Sequence, residues 1–225
     1  MADLFSKITG ESAGSTPFEF TSVTEDSGNT FAPSTDWAEA GSYSYKADFS
    51  GTGRNAYGWK AFSSANRTEI YIKFSLLIGS SFSMDAWSSV GIFSIAEDWF
   101  SQCVILMLYS NGSSTPAGFE LHGNGITTTD WTAGFAINTA MEIEIYWKYG
   151  TGSTTECWVK IDGTERYNNT TITSAITSND GIFVGGSLVY NVGLGGSIYY
   201  DEIEGYDAIP SGATGNSYYY QQQQM

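Results

Sequence analysis

Basic residues are scarce in this chain of 225 residues: 9 Lys and Arg stand against 24 Asp and Glu, a formal net charge of −15. Such a chain repels phosphate backbones and anionic lipid surfaces, so neither nucleic acid nor a membrane is an expected partner. Cysteine is almost missing. Cys103 and Cys157 each sit inside an apolar run and read as buried free thiols rather than a bridge. No stretch approaches the roughly eighteen uninterrupted apolar residues of a membrane helix, and no basic segment followed by an apolar one opens the chain. Membrane insertion and signal-directed export are therefore not expected. A helical period of 3.6 is also missing over any window of about ten residues, which argues against helices as the main element. Charged residues make up only 15%, but 41% hydrophobic and 16% aromatic content excludes disorder for the body of the chain.

What is present is a period of two. Ile70, Ile72, Phe74, Leu76 and Ile78 share one face of a strand, with Tyr71, Lys73 and Ser75 on the other. The alternation returns over Met141 to Tyr149, which places Ile143, Ile145, Trp147 and Tyr149 inward and Glu142, Glu144, Tyr146 and Lys148 on a solvent face. Cys157, Val159 and Ile161 then oppose Trp158, Lys160 and Asp162, and the glycine-bearing loop between the two runs predicts a hairpin. Val104 to Tyr109 reads as a strand buried on both faces. Further strands are predicted at 43–49, 90–95, 117–122, 181–184 and 198–206. Short strands with Gly, Ser and Asn turns and no helical crossovers predict one all-β domain, an antiparallel two-sheet β-sandwich in jelly-roll order. Residues 1–17 read as a polar arm, 18–209 as the sandwich, and 210–225, with its Tyr218–Tyr220 and Gln221–Gln224 runs, as a tail.

Three stretches resemble the concanavalin A-like lectin/glucanase superfamily, in particular its laminin-G-like jelly-roll members. They are Phe18-Glu19 with Gly41-Ser-Tyr-Ser-Tyr-Lys46, the hairpin from Glu142 to Trp147 and Trp158 to Gly163, and Gly181-Ile-Phe-Val-Gly-Gly186 followed by Gly196 to Ile203. The resemblance implies a structural Ca²⁺ held by an acidic residue opening the domain and one on the last strand, here Glu19 and Asp201. Burying Ile198, Tyr200 and Ile203 together requires a bulge near Asp201 and Glu202, because Ile203 breaks the alternation.

Catalytic patterns of that superfamily are incomplete. Glu142 and Glu144 have the spacing of a glycosidase pair, but the third carboxylate of the glucanase pattern is missing, Tyr146 and Trp147 standing there instead. Arg67-Thr-Glu-Ile70 resembles the arginine strand of alginate-lyase-type relatives, yet Glu120-Leu-His122 lacks the glutamine that would partner its histidine. The chain is therefore expected to be non-catalytic. The expected role is a glycan-binding or adhesion module, with Trp59, Trp87, Trp99 and Trp131 as stacking platforms and Asn124 as a polar contact. The alternative is a structural virion protein, such as a phage head decoration, fibre or tail component, assembling with copies of itself or other surface proteins through its terminal arms. Either role places the protein on a virion or an extracellular surface.

Overall fold

The computed structural model describes residues 1–11, 19–50, 55–97, 101–189 and 193–211. Among them are sixteen strands and no helix. In chain order these are β1 (Ser22–Glu25), β2 (Thr30–Ser34), β3 (Ser44–Asp48), β4 (Ala56–Ala61), β5 (Glu69–Ile78), β6 (Ser83–Met84), β7 (Ser89–Ala96) and β8 (Gln102–Tyr109). There follow β9 (Gly118–His122), β10 (Thr129–Trp131), β11 (Met141–Lys148), β12 (Thr155–Ile161), β13 (Thr164–Ile172), β14 (Gly181–Val189), β15 (Leu194–Gly195) and β16 (Ser197–Tyr206). They build a sandwich of two antiparallel seven-stranded sheets, the first ordered β13-β12-β11-β5-β16-β3-β2 and the second β1-β4-β14-β7-β8-β9-β10.

The core lies where the alternation puts it. Ile70, Ile72, Phe74, Leu76 and Ile78 of β5 meet Val104, Leu106 and Leu108 of β8 in one buried cluster. Phe74 stacks on Phe93 of the opposite sheet, ring centres 4.8 Å apart. Each such side chain contributes about 1.5–3 kcal/mol on burial. The expected hairpin is β11 and β12, with Ile145 opposite Val159. The expected bulge is present too: pairing of β16 with β5 slips between Asp201 and Glu204, and Glu202 takes a φ of +54°. Ile198, Tyr200 and Ile203 all reach the core as a result.

Two sequence expectations are corrected by the structure. The described part of the predicted arm, residues 1–11, does not stand apart from the sandwich. Leu4, Phe5 and Ile8 are buried in the core, and the segment runs beside β16, with Leu4 N donating to Gly205 O (2.9 Å) and Ile8 exchanging hydrogen bonds with Ile203. Beyond the bulge it occupies the place that β3 holds beside the first half of β16. The outer face of the first sheet is likewise not a plain solvent face. Tyr71, Glu144, Tyr146, Trp158 and Lys160 are all buried there. Tyr146 stacks on Trp158 at 5.4 Å, Tyr71 meets Trp158 edge-on at 6.0 Å, and Tyr206 and Ile209 pack against the group. Aromatic rings directly opposite or diagonal across strands prefer each other to water, which overrides the alternation rule on this face. The predicted tail lies, past Ser211, outside the described residues.

Candidate functional site

The outer face of the second sheet is built differently. Ser89 of β7, Tyr109 of β8, Glu120 of β9 and Asp130 of β10 line a groove of about 160 Å³, with Trp87 at its mouth. Strand register places Ser89 opposite Tyr109 and Glu120 opposite Asp130. Trp87 is 81% exposed and holds a left-handed φ of +59°, unusual for a bulky side chain. Gly112 makes room for it: a Cβ there would come within 2.8 Å of the indole. The loop carrying Trp87 is tied down on both sides. Asp85 accepts from Gly193 N through Oδ2 (2.7 Å), and its carbonyl accepts from Ser110 Oγ (2.7 Å) and Ser88 Oγ. Strain of this kind persists only where surrounding contacts over-determine it, and it concentrates at ligand sites.

Inside the groove, Glu120 is the best-positioned group. Its Oε2 accepts from Ser89 Oγ (2.7 Å), and its Oε1 lies 2.9 Å from His122 Nε2. Partial burial first, then the Asp130 and Glu120 carboxylates, raise the Tyr109 phenol above its ordinary range, so it stays a proton donor at neutral pH. No lysine or arginine side chain is among the described residues lining this groove.

The tryptophans expected to serve as platforms separate clearly. Trp87 stands free in the groove. Trp59 lies on the same outer face at β4, packed against Phe183 with ring centres 4.4 Å apart and flanked by Tyr57. Trp131 turns instead toward the core and packs on Phe119 (6.3 Å), because β10 presents its alternate residue Asp130 outward. Trp99 lies outside the described residues. Asn124 is structural: its Oδ1 accepts from Ala175 N (2.6 Å) and Ser174 Oγ (3.3 Å), joining two turns. Asp130 and His122 gained little weight from the sequence, since each is a lone polar residue near glycine. Only the register of β9 against β10 reveals their neighbourhood.

Glu19 and Asp201 each take backbone donors. Glu19 accepts from Gly10 N (2.8 Å) and Thr9 N (3.2 Å), tying the N-terminal segment down. Asp201 is fully buried and accepts from Glu39 N (2.8 Å), Ala40 N (3.1 Å) and Glu202 N (2.8 Å). Among the described residues, no three His, Cys, Asp or Glu side chains gather as a metal site. The two halves of the alginate-lyase-like pattern lie on opposite sheets: Arg67 precedes β5 and bridges to Asn179, whereas His122 is on β9. Glu142 and Glu144 belong to the first sheet's outer face, where they pair with Lys73 Nζ (2.6 Å) and Tyr71 Oη (2.6 Å) respectively. Both cysteines are free and buried, and burial pushes the Cys103 thiol up to about 12.

No family model matches this chain, and no curated protein matches it. Solved structures do. An endo-β-1,4-glucuronan lyase from the fungus Trichoderma reesei superposes with a TM-score of 0.64 at 10% identity, covering 91% of this chain and 95% of its own. An alginate lyase, solved with a lysine and a tyrosine changed to alanine and in complex with alginate tetrasaccharide, superposes at 0.53 with 18% identity, covering 77% and 86%. The botulinum neurotoxin type G receptor-binding domain superposes at 0.50 with 12% identity, covering 87% and 46%. These likenesses establish the β-sandwich fold. They also correct the expectation of a non-catalytic chain, since the structures that share this fold include polysaccharide lyases, over 91% of this chain for the glucuronan lyase and 77% for the alginate lyase.

Proposed function

We propose that the chain binds carbohydrate along the outer face of its second sheet, with the Trp87 groove gripping one unit of a longer glycan. The observation that carries this reading is the exposed indole of Trp87, held in a strained backbone conformation and lining one groove with hydroxyl and carboxylate groups. Sugar rings stack their C–H faces on aromatics and donate hydroxyls to carboxylates, and this groove offers both. From β4 to β10 the sheet spans five strand spacings, about 24 Å, so Trp59 and Phe183 extend the platform away from the groove. The glucuronan and alginate lyases that share the fold act on polysaccharides by their names, which supports the substrate class.

The same groove holds the groups that glycan cleavage needs. Tyr109 is a protonated phenol that can donate to a departing oxygen, while Glu120 and Asp130, directly opposite across β9 and β10, can accept a proton or attack. The test is isothermal titration against a panel of oligosaccharides, with cleavage followed in the same samples. Unsaturated ends report elimination, and plain reducing ends report hydrolysis. Trp87→Ala is expected to weaken binding by about tenfold or more, as for a buried aromatic anchor. Binding unchanged in Trp87→Ala would move the site elsewhere, and no binding to any saccharide would remove the reading.

A further inference from the structure

The groove chemistry narrows the ligand. Glu120 and Asp130 face each other across the β9–β10 pair on the same side of the sheet. Like charges placed directly opposite in an antiparallel pair cost stability, and no lysine or arginine among the described lining residues relieves them. Beside them stands the exposed face of an indole, the best of the side chains for attracting a cation. An exposed, strained tryptophan and a carboxylate pair relieved only on the Glu120 side, by Ser89 and His122, each work against the free fold, and one ligand resolves both. An ammonium group between the carboxylates, with the ring that bears it stacked on Trp87, supplies the missing charge and covers the indole.

Resting on the carbohydrate reading above, we infer that the groove selects a cationic amino sugar, a glycan unit with a free amine, over neutral and uronate units. The contrast with the first sheet sharpens the argument. There each of the carboxylates Glu142, Glu144 and Glu69 already meets a lysine or a tyrosine hydroxyl. In the groove, Glu120 meets Ser89 and His122, and Asp130 lies open to solvent. An incoming uronate carboxylate would face two like charges at close range in a partly desolvated groove.

The experiment compares three probes on the full chain: an oligomer of β-1,4-linked glucosamine, its N-acetylated counterpart, and a glucuronan oligosaccharide. The free-amine oligomer is expected to bind about tenfold or more tighter than the N-acetylated one, through charge-assisted hydrogen bonds to two carboxylates. That preference is expected to shrink at about 1 M salt, where screening acts within a few ångströms. Asp130→Asn is expected to reduce the preference for the free-amine oligomer several-fold. Glu120→Gln is the second variant and keeps the acceptor for Ser89. Equal or tighter binding of the N-acetylated or uronate oligomer overturns the charge selection and leaves the carbohydrate reading standing. Failure of all three probes to bind overturns both.

Discussion

The outer faces of the two sheets are made of the same materials and used in opposite ways. On the first sheet, Tyr71, Tyr146 and Trp158 close over one another, and the acidic groups among them are matched. Lys73 meets Glu142 at 2.6 Å, Tyr71 donates to Glu144 at 2.6 Å and Tyr146 donates to Glu69 at 2.9 Å. On the second sheet, a tryptophan stands 81% exposed at a positive φ in one groove with two carboxylates of like charge. The difference teaches that an aromatic and acidic composition does not itself mark a binding surface. On the first sheet these groups satisfy one another, whereas on the second Trp87 and Asp130 face solvent.

The comparison breaks most visibly if a ring is removed from the self-satisfied face. Trp158→Ala is expected to cost about 3–5 kcal/mol of stability, the range for deleting a buried aromatic, read from urea unfolding. Saccharide binding by the fraction that stays folded is expected to be unchanged; a loss of binding would mean that the two faces are coupled. The opposite substitution is Trp87→Gly. A glycine accepts the left-handed backbone that tryptophan resists, so stability is expected to hold or rise by a few tenths of a kcal/mol while binding is lost. A clear drop in melting temperature would show that Trp87 supports the fold instead. The smallest effect concerns alkaline pH. Burial first, then the Glu144 carboxylate, raise the Tyr71 phenol, so the folded state keeps this proton where the unfolded chain releases it. The stability it contributes is complete below about pH 10 and declines as pH rises above the unfolded tyrosine value. Tyr71→Phe is expected to make that decline shallower, with the neutral-pH stability lowered by about 1–3 kcal/mol because Glu144 loses its donor.

Most of the interior of the fold was legible and its edges were not. Strands β5, β7, β8, β11, β12 and β16 carry the apolar alternation or continuous apolar runs that burial imposes, and each was read from the sequence. Of the missed strands, β1, β2, β10 and β13 are the four edges of the two sheets, β6 and β15 are two-residue strands paired with each other, and β4 lies inside the second sheet. Thr164–Ile172, with its mostly polar residues, shows why: an edge strand has one neighbour and little core contact, so its sequence need not alternate. The N-terminal segment was missed for a related reason, since its buried residues Leu4, Phe5 and Ile8 follow no period. At the site, Trp87 was legible as a tryptophan in a turn context. Its partners Glu120 and Asp130 come together through a register between β9 and β10 that neither strand announces alone. Trp131 occupies the inward position beside the outward Asp130, and the two-residue period of a strand decides which of the two faces solvent.

The seating of Leu4 and Ile8 beside Gly205 and Ile203 also bears on how the molecule is made. Leu4 and Ile8 have their hydrogen-bonding partners about two hundred positions later in the chain, so these pairings cannot form before the later segment is made. Loop closure over such a span comes late, and folds dominated by such distant pairings complete in milliseconds to seconds. The pairing of these two segments is therefore a clasp that closes late in folding.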